Sequence, residues 1–263
     1  MDARTGSGLR PAPAYGVALE GAGVHTFVQA LKWLVDGSHW SGFDGIPVRT
    51  LEHVEISAAA VALAAAVAVP LGLYIGHTRR FQFLAVSVAN VGRSIPSFGI
   101  LSIAYVIVLK LAPSFAFGFV PTVAALVLLG IPPILTNAYV GVQNVDADTV
   151  EAARGMGMSE RQVLVGLEVP MATRLIMAGI RTSSVTIVAT ATLSALIGGG
   201  TLGRYIVDGF AQSDNPKLVA GSILVAILAI LTELILGRVE RVVAPRTASR
   251  VPRTRARLRS QTA

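Results

Sequence analysis

Apolar residues run in long blocks along this chain, and polar residues gather between the blocks instead of alternating with them. Ile56 to Gly76 carries no charge and closes on His77, Arg79 and Arg80. A run of that kind, roughly 20 residues, is long enough to cross the ~30 Å of hydrocarbon in a bilayer as a helix. Phe119 to Gln143 is a second block, punctuated by Pro121, Pro132 and Pro133. Membrane helices tolerate such breaks where neighbouring groups satisfy the freed carbonyls. Pro170 to Ile197 and Leu218 to Leu236 are the third and fourth. Phe81 to Leu111 is too long for one straight helix, short for two with a turn, and interrupted at Pro96. Thr26 to Val35 is too short to span and sets Phe27, Leu31 and Leu34 at helical spacing, which predicts an amphipathic helix on the outer membrane surface.

Charge orders these blocks. Cytoplasmic loops carry an excess of lysine and arginine, so Arg79 and Arg80 mark one cytoplasmic turn and the arginines from Arg238 to Arg259 mark a cytoplasmic end. Phe81 to Leu111 then makes a single broken crossing. The expectation is an all-α polytopic membrane protein with five net transmembrane crossings, its N-terminus outside, and the Glu151 segment with Arg154, Arg161 and Arg174 in the cytoplasm. Arg4, Arg10, Lys32 and Arg49 on the outer segment run against the bias, and six helices with an odd hairpin are the alternative.

Composition agrees with a membrane protein: 53% hydrophobic, 14% charged and a mean hydropathy of +0.65. The absence of cysteine excludes disulfides, thiolate metal sites and cysteine nucleophiles. Most of the formal charge of +7 lies in the C-terminal tail, which suits cytoplasmic anchoring and anionic lipid better than nucleic acid. Met1 to Tyr15 lacks a secretory h-region, so the chain is expected to begin near Met1.

Between the blocks, Gly155-Met-Gly157 is not a phosphate loop, because no lysine, third glycine or preceding strand accompanies it. Gly198 to Gly203 follows a span and reads as a tight outer loop using positive φ. Asp148 with Glu151 three residues on predicts a capped helix of about two turns, ended by Gly155 or Gly157. Ala152 and Ala153 permit close approach of a partner, and Val150 and Met156 offer apolar contact; a loop lying on lipid headgroups fits the same residues. A second amphipathic helix follows from Ser159 to Leu167, with Pro170 in the first turn of the next span.

Inside the spans, Asn90, Arg93, Ser94, Pro96 and Ser97 form a polar neighbourhood, and a guanidinium there must face protein, water or a carboxylate. Thr182, Thr186, Thr190 and Ser194 recur every fourth position and either border a translocation path or pack helices together. Arg181 is expected to pair with carbonyls of another helix, and Glu233 to snorkel or pair with Arg238. His25, His39, His53 and His77 fall outside the predicted spans, so no catalytic constellation forms and an enzyme is not expected. An ion-coupled carrier would need ionisable groups within the spans and usually an internal repeat. Arg93, Lys110, Arg181 and Glu233 are essentially all the spans supply.

Glu151-Ala152-Ala153, then Gly157, then Leu167, Val169 and Pro170 resemble the cytoplasmic signature of binding-protein-dependent ABC importer permeases, with every interval kept and only the two aliphatic slots exchanged. Arg93 to Ile100, Ile131 to Tyr139 and Ala178 to Gly203 look like the glycine betaine, choline and carnitine branch, over roughly Val54 to Val243. The resemblance implies a type I importer permease core in a bacterial inner membrane. Residues 54–237 would form the transmembrane domain with a coupling loop at 144–169, between an outer segment 1–53 and a basic tail 238–263. It implies that Glu151, Ala152, Ala153, Gly157, Leu167 and Pro170 meet a separate ATPase, and that an external binding protein and a second permease, identical or paralogous, complete the assembly. ATP and Mg belong to the ATPase, with no cofactor on this chain. Permeases for methionine or other amino acids share the signature and are the alternative within the class.

Overall fold

The computed structural model describes residues 15–244, with side chains for 24–244 other than those of Leu84, Val88 and Arg93. The arginine-rich end past Ala244, the stretch before Tyr15 and the predicted path side chain Arg93 lie outside what is described. All regular elements among the described residues are helical.

Helix α1 (Tyr15–Val35) starts well before the predicted amphipathic stretch. Ala30, Trp33 and Leu34 turn inward, while Phe27 and Leu31 are about half exposed, so the expected apolar face is split. Asp36 then caps a short 3-10 turn, Gly37–Trp40, accepting from the Ser38 amide at 3.0 Å. That bond holds its carboxyl below the usual value. Helix α2 (Ile46–Thr78) begins ahead of the apolar run that predicted it and ends beyond it, which brings both His53 and His77 into the helix, against expectation. The reason is that Arg49 and Glu52 pair with each other across one turn and so enter the helix without cost to its core.

Helices α3 (Gln82–Ser94) and α4 (Ser97–Leu111) form the broken segment, bent by 97° at Ile95 and Pro96. Proline disfavours helical backbone in the residue before it, and Ile95 is accordingly extended. Helix α5 (Phe119–Gln143) keeps the predicted bounds. Next come α6 (Ala147–Gly155) and α7 (Glu160–Val163), a π-helical turn (Leu164–Glu168), and α8 (Val169–Thr190), which passes into a 3-10 segment, Ala191–Ile197. Helices α9 (Gly203–Ala211) and α10 (Asn215–Val243) complete the chain. Among the described residues, four stretches are long and apolar enough to cross a membrane, Ile46–Thr78, Phe119–Gln143, Glu160–Ile197 and Asn215–Val243, and the bent pair makes up to five.

The described residues form two compact units. One comprises the chain up to Ser57, Leu101–Ala124 and Val188–Ala229; the other Ala58–Ile100, Ala125–Ile187 and the chain from Ile230. In the second, small residues set the helix spacing. A Cβ on Gly72 would lie 2.5 Å from that of Ala138, one on Gly76 2.7 Å from Val142, and one on Gly179 2.6 Å from Asn137. Ala64, Ala68, Ile134, Leu135 and Tyr139 fill the core between these contacts. Packing at this range lets membrane helices gain van der Waals contact where lipid gives them no hydrophobic drive to associate.

In the first unit the organising group is Glu52. Its carboxylate accepts from Arg49 Nη1 at 2.8 Å and from the Thr201 amide at 3.1 Å, and Arg49 also pairs with Asp44. Thr201 has φ +67°, costly for a β-branched residue, and the Glu52 bond holds it there. The adjoining glycines leave room for this approach: side chains at Gly199 and Gly200 would overlap Ser194 and Glu52. Tyr205 donates to the Asp44 carbonyl at 2.6 Å, and its burial pushes the phenol up to about 12. Where α8 gives way to the 3-10 segment, the carbonyl of Val188 bonds His53 Nε2 at 2.8 Å, and Thr122 Oγ1 meets Ser194 at 3.2 Å.

Gly72→Val should lower the unfolding midpoint of the purified protein, at a cost of about 1–3 kcal/mol for overpacking. Gly99→Ala, where the new methyl meets nothing within 4 Å, serves as the neutral comparison in the same thermal scan. Glu52→Ala is expected to cost about 1–3 kcal/mol through the stranded Thr201 amide and the lost Arg49 contact. Glu52→Gln, which keeps an acceptor, should recover part of that loss in the same assay.

Candidate functional site: the Glu151 to Pro170 segment and the polar span faces

Helix α6 is capped two residues earlier than its sequence suggests. Asp146, not Asp148, is the N-cap; its carboxylate accepts from the Thr149 amide at 2.9 Å and the Thr149 hydroxyl at 3.1 Å, and the amide bond holds the group below the usual carboxylate range. Asp148 instead lies in the first turn, where its charge favours the helix dipole. At the other end Gly157 takes φ +87°, its amide donating to the Arg154 carbonyl at 2.9 Å while Met158 donates to Ala153 at 3.2 Å. Those two bonds are the Schellman ending that glycine permits. Gly155 is the last helical residue and carries no left-handed turn.

The helix turns Val150 and Ala153 inward, against Val145 and Val163, with Met158 and Leu167 closing the cluster. Val150 and Ala153 are therefore not available to a partner, contrary to expectation. Glu151, Ala152, Arg154 and Met156 remain on the surface, with Met156 78% exposed. Beside them, Met158, Arg161, Gln162, Val165 and Gly166 line an open groove of about 570 Å³.

Ser159 opens α7, its amide and hydroxyl meeting Gln162 Oε1 at 2.8 and 3.0 Å. The helix predicted to stop at Leu167 does not stop. It widens into the π turn, in which the Val169 amide reaches the Leu164 carbonyl, and runs on into α8. Pro170 is thus interior to a continuous helix and not in a first turn. It has no amide to donate, and its ring would press on the carbonyl one turn back; the wider turn relieves that clash. Pro170 and Leu167 are half-buried, and Ala153 is buried.

A chain of ionic contacts crosses this region. Arg154 grips Glu160 with Nε and Nη2, both at 2.9 Å. Glu160 lies 3.2 Å from His77 Nε2, and His77 Nδ1 lies 2.6 Å from Glu168 Oε2. Sequence reading missed Glu160, Glu168 and His77. The available signal was Glu168 itself, an acid in the free slot between Leu167 and Val169, where an apolar setting obliges a carboxylate to find a partner.

Of the predicted path residues, Asn90, Ser94 and Pro96 are exposed at the break between α3 and α4, and Ser97 is half-buried. The Ser94 hydroxyl donates to the Asn90 carbonyl at 2.9 Å. Thr182 and Thr186 are exposed on α8, the Thr186 hydroxyl donating to the Thr182 carbonyl at 3.0 Å, and Thr190 is half-buried. Ser194 leaves this stripe and is fully buried, because the change to 3-10 geometry after Thr190 breaks the four-residue repeat. Arg181 meets carboxylates instead of carbonyls, at 3.4 Å from Glu233 and 3.1 Å from Glu240, so Glu233 pairs with Arg181 and not with Arg238. In the first unit, Asp44, Arg49, Glu52, Arg204, Tyr205 and Asp208 border a charged recess of about 500 Å³ that no sequence motif announced.

Comparison with known proteins extends these observations. The family model for the binding-protein-dependent transport system inner membrane component matches residues 68–249. The carnitine transport permease protein OpuCB of Listeria monocytogenes is 38% identical over 193 residues, covering 73% of this chain and 85% of that protein. The choline transport system permease protein OpuBB of Bacillus subtilis is 35% identical over 197 residues, covering 75% and 88%. Among solved structures, an inward-facing form of the MetNI methionine ABC transporter superposes with a TM-score of 0.66 at 19% identity, over 74% of this chain and 94% of that one. The capped Glu151 helix, the bent span and the match through residues 68–249 lead to one assignment: this chain belongs to the binding-protein-dependent inner membrane components, the permease subunits of ABC importers.

Proposed function

We propose that this subunit imports a small quaternary ammonium osmoprotectant of the glycine betaine, choline or carnitine type. The observation that carries the ligand class is the level of likeness to relatives named for carnitine and choline, 38% and 35% identical over about three quarters of the chain. The methionine and amino-acid transporters resembled in structure are 18–19% identical and support the fold alone.

In this reading Glu151, Ala152 and Gly157 meet the ATPase, while Ala153, Leu167 and Pro170 carry its movement inward. The exposed row Glu151, Ala152 and Met156, backed by a helix capped at both ends and pinned by Val150 and Ala153, supports it. A two-turn helix alone in water is marginal, whereas this one is held by its own chain and can be pushed as a rigid piece. The groove beside Met158 and Val165 lies next to that row and suits a neighbouring protein surface. ATP binding then closes two ATPase subunits, draws the α6 helices of two permeases together and opens the assembly toward an external binding protein; hydrolysis resets it.

Asn90, Arg93, Ser94, Pro96, Ser97, Thr182, Thr186 and Thr190 border the path. Exposure of Asn90, Ser94, Pro96, Thr182 and Thr186 from their own chain supports that role. The N-terminus lies outside and the C-terminus in the cytoplasm, with residues 54–237 as the transmembrane domain, 1–53 outside it and 238–263 as a basic tail.

Two experiments check this reading. In proteoliposomes with the ATPase and binding protein, Glu151→Ala and Gly157→Asp should cut ATP-driven uptake by about tenfold or more, Gly157→Asp through lost ATPase association. Such losses correspond to about 1.4 kcal/mol per decade. Unchanged uptake and association in both would remove the coupling assignment. Because the natural chain has no cysteine, a single cysteine at Ser38 should react with an impermeant maleimide in intact spheroplasts, and one at Met156 only in inverted vesicles. The opposite pattern would reverse the orientation.

A further inference from the structure

We infer that His77 gives the coupling segment a second output, tying the last turn of α2 to the π turn so that displacement of α6 reaches α2 as well as α8. The inference rests on the reading of Glu151 to Pro170 as the ATPase contact.

The first observation is the burial of Glu168. Its side chain is 6% exposed, and a carboxylate withdrawn from water needs a charged or donating partner. That partner is His77 Nδ1 at 2.6 Å, on a ring whose side chain is only 13% exposed. The other ring nitrogen lies 3.2 Å from Glu160, within ion-pair range. Glu160 in turn accepts the two-pronged contact from Arg154 in α6. One side chain of α2 thereby holds two acids, one on α7 and one in the π turn.

The two ends of this relay differ in strength. Arg154 and Glu160 are exposed, and such pairs are screened and contribute little. Helix α6 does not depend on that pair, because Val150 and Ala153 already fix it to Val163 and Leu167. The bond from His77 to Glu168 is short and shielded, and it supplies the step from this block to α2.

Its position gives the bond a mechanical role. The π turn stands just before Pro170, which contributes no amide, so the ladder of helix bonds is thinnest there. A push on α6 delivered to an unclamped π turn would be absorbed as bending at that point. With Glu168 held to α2, the wide turn is braced from outside the helix, and the push moves α2 and α8 together. His77 is in this sense a positioning residue: it touches neither nucleotide nor solute.

The test is the amount of solute moved per ATP hydrolysed, in proteoliposomes with the full assembly. His77→Ala should lower this ratio about threefold or more, in line with the size of coupling changes made by residues remote from ligand, while the ATPase still co-purifies. His77→Ala combined with Glu168→Ala removes the stranded carboxylate and guards against a folding failure; it should show the same loss and no more. Gly157→Asp is the reference for docking. A normal ratio in the double variant, beside lost ATPase association in Gly157→Asp, overturns the clamp and leaves the coupling segment intact. Lost association in the double variant overturns it too, since the defect would then be docking. If Gly157→Asp behaves as the natural protein does, the coupling reading itself fails and takes the clamp with it.

Discussion

Close approach of helices through glycine and alanine is the constraint on which the second unit depends. At Gly72, Gly76 and Gly179 the facing residue stands where a side chain would be. Ala64, Ala68, Ala138 and Ala172 continue the same economy of volume around Ile134 and Tyr139. Lipid supplies no hydrophobic drive between helices, so contact area and hydrogen bonds must hold them. Short spacing serves both: it brings the helices into contact and lets Ser183 reach the carbonyl of Gly130 at 3.0 Å.

Against that regular packing the irregular points stand out. Pro132 and Pro133 withhold the amides that would meet the carbonyls of Leu128 and Leu129 in α5. Pro96 ends one helix and lets another begin. Pro170 is passed by a π turn, braced through Glu168 and His77. Backbone without its helix bond survives at membrane depth only where protein satisfies it. The interruptions therefore mark where side-chain chemistry concentrates.

Much of this was legible because span length and motif spacing are local properties. The Phe119 to Gln143 helix could be read from its apolar run alone, and so could the break at Pro96. The errors share a cause. The N-cap slipped from Asp146 to Asp148 because two aspartates stand two residues apart and only backbone geometry selects one. Helix α2 was drawn too short because the uncharged run begins only at Ile56, and the pairing of Arg49 with Glu52 in the earlier turns is not visible in that run. Pro170 was read as a helix start because a π turn has no sequence signature. The His77 and Glu168 contact joins residues 91 positions apart, and no pattern within either segment could pair them.

The hydroxyl groups on the exposed span faces bear on how a permease can pass a solute without trapping it. Thr186 and Ser94 already donate to carbonyls of their own helices, so each offers a passing ligand only its oxygen lone pairs. A quaternary ammonium has no N–H to give them, and the aromatic faces that would bind it strongly amount to 6% of the chain. On the proposed path such a ligand would meet weak, similar contacts at successive turns and no deep well. Affinity would then reside in the external binding protein, and direction in the ATP-driven movement of α6. A passage of this kind would work only if that movement were delivered without loss, and on the proposed clamp the bracing of the π turn would then matter more to transport than any single residue lining the route.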